Sequence, residues 1–228
     1  IERDQTEQPD FFGAASGAKQ QGERNGDIPI WLPTHVRFPG VAHPLPVTYR
    51  VVSLWSVLTS HVPSAVMPRA ARYPARVQHR EYAGWSGERN RRQVLEAAER
   101  LEPALLLDLS EAASIGPPLV CAWEDTSAAE REVVLITVAG NQRAMALQLA
   151  AESFRPRFQH YRRSLQARAT LFGLQPNNIA EDSVLVREFG EDDLTRWYAE
   201  AHPYEDQRSE TGETPASVNR LSALAWMN

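Results

Sequence analysis

Cysteine is nearly missing from this chain. Cys121 is the only one in 228 residues, so no intrachain disulfide and no CxxC metal knuckle can form. Its neighbours Leu119, Val120, Ala122 and Trp123 are apolar, which reads as a buried thiol rather than a nucleophile. Lysine is as scarce: Lys19 stands alone, removing lysine chemistry from every other position. The segment from Gly13 to Lys19 has the wrong spacing for a phosphate loop, and neither Ser nor Thr follows its lysine. No apolar run approaches ~18 residues, so no membrane span is expected. No signal-peptide pattern is visible, and the expectation is a soluble chain, in a virion or inside a cell. The histidines His35, His43, His61, His79, His160 and His202 show no ligand spacing. Neither a nucleophile elbow nor a paired-carboxylate signature is present. No catalytic, metal or cofactor residue is therefore assigned, and the expectation leans away from an enzyme.

What is present is arginine and proline. Hydrophobic residues make up 43% and charged residues 23%, ordinary for a globular chain with a real core. The net charge of −5 argues against polyanion binding by the molecule as a whole. Residues 1–46 read as an extended N-terminal arm. Its second half, from Ile28 to Pro46, is too rich in proline for a helix, and Trp31, Leu32 and Phe38 need a surface to cover them. Residues 47–201 read as the globular domain. Residues 202–228 read as a C-terminal tail whose last part, with Leu221 and Trp226, is amphipathic.

Within the domain, Val47 to Val52 suggests a strand, followed by a strand or short helix through Leu58. Residues 76–85 suggest an exposed strand. Val94, Leu95, Ala98 and Leu101 mark a helix opened by Ser86 or Gly87 and ended at Glu102-Pro103. The runs from Ala104 to Leu109 and from Val133 to Ala139 read as two neighbouring buried strands, with a short helix from Pro117 to about Ser127 between them. A long helix is expected from Asn141 to Phe172, with Pro156 as a break point and Gly173 as its C-cap. Ser183 to Phe189 reads as a strand, and residues 191–201 as a short helix with an acidic start. The expected class is α+β, with α/β as a variant: a small mixed sheet covered by two or three helices.

The βαβα order of residues 93–154 resembles the core of STAS domains, the anti-sigma-factor-antagonist class. The resemblance is carried by Leu106-Leu107-Asp108-Leu109-Ser110, the turn Ser114-Ile115-Gly116, and the strand end Val138-Ala139-Gly140. It implies a regulatory module that binds a protein partner. Such domains place an Asp-Ser pair at the turn, where Ile115-Gly116-Pro117 stands here. Asp108 interrupts an apolar run; it is read as a strand-end cap ahead of a cleft residue.

The most basic stretch holds Arg155, Arg157, Arg162 and Arg163, with Phe154, Phe158 and Tyr161 interleaved. It is a candidate contact for a polyanion or an acidic partner. Between Glu181 and Glu213 there are eleven acidic residues against three arginines, which favours protein or intramolecular pairing over nucleic acid. The favoured reading is a non-catalytic structural subunit of a large assembly, a virion shell being the leading example. Trp31, Leu32, Phe38, Leu221 and Trp226 would then touch neighbouring subunits. The alternatives are the STAS-like module and an enzyme whose site is not readable from spacing.

Overall fold

The computed structural model describes residues 34–39, 41–74, 77, 82, 85, 87–125, 132–190, 192–194, 224 and 227. All lie in one compact unit, Trp31–Asn228. Strands β1 (His35–Val36) and β2 (Leu45–Pro46) form a small antiparallel pair. Strands β3 (Thr48–Ser53), β4 (Val57–Leu58), β5 (Leu119–Asp125), β6 (Glu132–Ala139) and β7 (Ser183–Phe189) form a mixed sheet in the order β3-β7-β5-β6-β4. The helices are α1 (Glu88–Arg100), α2 (Pro103–Leu106), α3 (Asn141–Ser153) and α4 (Arg155–Arg168). The fold is α+β.

Two apolar clusters sit on this sheet. One joins Val120, Val184 and Val186 to the helices through Val94, Met145, Leu149, Phe158, Tyr161 and Leu165. The other joins Leu119, Cys121, Ile136, Val138 and Phe189 to Val36, Phe38, Leu45, Tyr73, Leu194, Leu224 and Met227. Helices therefore supply the cover in one cluster. The small β1–β2 pair and short segments from both ends of the unit supply it in the other. Helix α3 lies in the middle of the helical layer and is buried from Ala144 to Ala150, as an all-round apolar helix must be.

The long helix expected after Gly140 is two helices. Phe154, at φ −125° and ψ 48°, closes α3 and opens α4. Pro156 then falls in the first turn of α4, where a missing N–H costs no hydrogen bond. Gly173 caps the following turn at φ +68°, a conformation open to glycine.

Two expectations are corrected. The run Ala104 to Leu109 is not a strand: Pro103 starts the one-turn helix α2, and the chain then turns away, leaving Leu105 59% exposed and Leu106 and Leu107 buried. A short leucine run carries no period of its own, and proline at the first helical position decides it. The segment after Pro117-Pro118 is not a helix: Leu119–Asp125 is β5, the strand between β7 and β6. Its first three residues, Leu119, Val120 and Cys121, are buried on both faces of the sheet, while Ala122 and Glu124 further along are exposed. The βαβα order behind the STAS resemblance therefore does not hold, because β5 runs antiparallel to β6 and its first strand is absent. Most of the exposed strand expected at residues 76–85 lies outside the described residues, but Val77, Tyr82 and Trp85 are described and none is in a strand, and Val77 and Tyr82 are buried. Most of the helix expected at 191–201 also lies outside them, although residues 192–194 are helical.

One hydroxyl closes a gap in the sheet. β7 pairs with β3 from Ser183 to Glu188 but with β5 only from Arg187 to Phe189. On the unpaired stretch, the Leu185 N–H donates to the buried Tyr161 hydroxyl at 3.0 Å. Burial raises that phenol's pKa and keeps it neutral. Tyr161→Phe strands the Leu185 N–H in the core. Urea unfolding of this variant should show a loss of about 1–3 kcal/mol.

Candidate functional site

Strand β7 carries a buried charge that no carboxylate touches. Arg187 is fully buried, and its guanidinium is satisfied by backbone carbonyls. Nε donates to Pro117 O at 3.0 Å, one terminal nitrogen to Ser110 O and Ala112 O, and the other to Ala113 O and Ile115 O at 2.6 Å. All five donors are used, the most a guanidinium has. The Arg187 N–H also donates to Pro118 O. A second half-buried arginine, Arg143 in the first turn of α3, donates to Gly116 O and to Ala113 O. Two cations thus hold the loop 110–117 by its carbonyls.

The loop's own sequence suits this. The Asp108 carboxylate accepts the Ser110 N–H at 2.7 Å, and the Ser110 hydroxyl accepts the Ala112 N–H: short polar side chains capping their own turn. Asp108 is therefore a turn cap. Gly116 takes φ +76°, and a Cβ there would lie 2.6 Å from Asp108 O. Outside the loop, the Ala113 N–H donates to Arg37 O, and the Arg37 guanidinium pairs with Glu111 at 2.8 Å. That guanidinium holds the Glu111 carboxyl below the usual carboxylate range. Burial pulls Arg187 and Arg143 down to about 10, and for Arg143 the neighbouring Arg187 adds to the effect. Both remain charged at neutral pH.

Beside this loop lies a cleft of about 270 Å³ lined by Phe38, Tyr82, Ser114, Asn141, Gln142 and Met227, among others. A row of buried polar groups begins at its wall with Asn141 and continues along α3. Asn141 accepts the Ser60 N–H at 2.9 Å and donates to Thr137 O, which also accepts from the Tyr73 hydroxyl at 2.6 Å. Gln148 donates to Val57 O at 2.8 Å. These bonds tie α3 to the segment around and after β4. Among the described residues no cluster of three or more His, Cys, Asp or Glu could hold a metal ion. No described helix is long and apolar enough to cross a membrane. Cys121 is buried in the sheet.

The anchors expected from sequence fall in different places. Phe38 is 7% exposed and packs in its own domain's core beside Leu224 and Met227. Trp31, Leu32, Leu221 and Trp226 lie outside the described residues. The basic residues come together on α4. Phe158, Tyr161 and Leu165 face the core, while Arg155, Arg157, Arg163 and Arg168 are exposed. Arg162 is half-buried, its Nε without a hydrogen-bond partner. Sequence reasoning passed over Arg187, Arg143, Asn141 and Gln148. Only Arg187 carried a signal: an arginine inside a largely apolar strand.

Residues 42–190 match the ddrB-like ParB superfamily domain. The chain belongs to that superfamily. The matched span runs from just before β2 to the end of β7, and so takes in the five-stranded sheet, all four helices and the arginine-held loop. No curated protein and no solved structure matches the chain.

Arg187→Met would leave buried carbonyls in the loop 110–117 without donors. Urea unfolding should show a loss of about 3 kcal/mol or more. Arg187→Lys keeps the charge but cannot reach five acceptors with a single ammonium, and should restore less than half of that loss.

Proposed function

We propose that this chain is a DNA-associated, partition-type module that works through contacts rather than through chemistry. The observation that carries the reading is the superfamily match over residues 42–190, which spans well over half of the chain and coincides with its folded core. The fold is consistent with a rigid platform: Asn141 and Gln148 of α3 bond to the backbone, and Arg187 and Arg143 are committed to carbonyls. The sequence expectation of a non-catalytic subunit carries over in this form. The superfamily match turns the expected partner from a shell neighbour to DNA. Protein contacts through the terminal segments, with Trp31, Leu32, Leu221 and Trp226 as anchors, remain part of the proposal.

Fluorescence anisotropy of a labelled duplex of about 30 base pairs tests the reading. At about 50 mM salt it should show saturable binding that weakens steeply as salt rises, because phosphate contacts release counterions. A flat titration at low salt, with the chain assembling on itself in light scattering, would leave the DNA reading without support and return the structural-subunit reading to first place.

A further inference from the structure

We infer that α4 is the face by which this chain holds the sugar-phosphate backbone of duplex DNA, without reading its sequence. This rests on the DNA-associated reading above.

Helix α4 has fourteen residues, five of them arginine and none acidic. Its core side is accounted for by Phe158, Tyr161 and Leu165. The exposed arginines Arg155, Arg157, Arg163 and Arg168 contribute nothing to that packing and have no acidic partner among the described residues. Two of them sit where they oppose the helix. Arg155 and Arg157 lie in the first turn, at the positive end of the macrodipole, where a carboxylate would be stabilising and a cation is disfavoured. Folding therefore gives no reason for cations at this position, whereas an anion held from outside does.

Helix α1 provides the contrast. It is also rich in arginine, yet Arg92 pairs with Glu88 at 2.9 Å and Arg91 donates to Tyr82 O. Glu96 and Glu99 follow on the same helix. Three glutamates thus stand among the four arginines of α1, whereas the five arginines of α4 have no carboxylate on their helix. On a chain of net charge −5, a cationic strip free of carboxylates concentrates the positive field on one face.

The form of the strip selects the ligand. The helix is ~20 Å long at 1.5 Å per residue, enough to run beside several consecutive phosphates. Its large aromatic rings, Phe158 and Tyr161, are buried against the core, and the single small ring left exposed, His160, falls short of the row of rings on which successive unpaired bases stack. Planar guanidinium groups bind phosphate oxygens in bidentate fashion. Four exposed guanidinium groups with one small exposed ring suit a duplex backbone better than a single strand.

The test is the salt dependence of duplex binding by the full chain and by a variant combining Arg155→Gln, Arg157→Gln, Arg163→Gln and Arg168→Gln. The slope of log affinity against log salt should fall by about three to four units in the variant, at ~0.9 for each phosphate no longer neutralised. Single variants Arg157→Gln and Arg163→Gln should each lower it by about one, which keeps the test open if the combined variant does not fold. Arg92→Gln on α1 should leave the slope unchanged. Duplex binding with an unaltered slope in all α4 variants would overturn the assignment of this face while leaving the DNA reading intact. A wild-type chain that ignores duplex DNA but binds poly-glutamate would overturn both.

Discussion

A buried cation with no carboxylate in contact constrains everything around it. Arg187 stands in β7, between β3 and β5, and charge there is tolerable only if each N–H finds an oxygen. The loop 110–117 supplies them, so its path is dictated by the fork of one guanidinium. Five carbonyls must converge on a plane. Gly116 must adopt a conformation that other residues resist, and Asp108 and Ser110 must cap the turn that delivers the loop. Arg143 repeats the arrangement from the other side and ties the loop to the first turn of α3. The strand, the loop and the central helix are thereby locked together, and the cleft beside them has fixed walls.

The arginines of this chain consequently divide into two populations. Arg187 and Arg143 commit their donors to backbone carbonyls inside the fold. Arg155, Arg157, Arg163 and Arg168 commit none there and face outward from a helix that has no carboxylate to offset them. Near-total replacement of lysine by arginine makes the two uses look alike in composition. They differ in burial and in partners, and that difference separates the residues that build the module from those available for an external anion.

Much of the frame could be read from the residues. β6, β7, α1 and the α3–α4 break were legible because their patterns have clear periods or punctuation: a β-branched run ending at Gly140, a proline two residues past Phe154, a glycine at residue 173. The stretch between Glu102 and Asp125 was not. Its leucine run has no period, and the true strand follows a Pro-Pro pair that also suits a helix start. What settled both was tertiary: β5 is needed to bridge β6 and β7, a pairing invisible to local pattern. The site was less legible than the fold. Arg187 acts through carbonyls contributed by residues some seventy positions earlier in the chain, so no spacing rule could connect them. The basic stretch of α4 was visible in sequence, but which of its residues point outward is decided by the burial of Phe158, Tyr161 and Leu165. Phe38, with the look of an arm seeking a neighbour, is core to its own domain.

Chemical modification of arginine in the native chain, read by mass spectrometry with and without duplex DNA, tests this division most directly. The account predicts that Arg187 stays unmodified in both conditions, and that Arg155, Arg157, Arg163 and Arg168 react freely in the chain alone and are protected when DNA is bound. Ready modification of Arg187 in the folded chain, or equal reactivity of the α4 arginines with and without DNA, would contradict it.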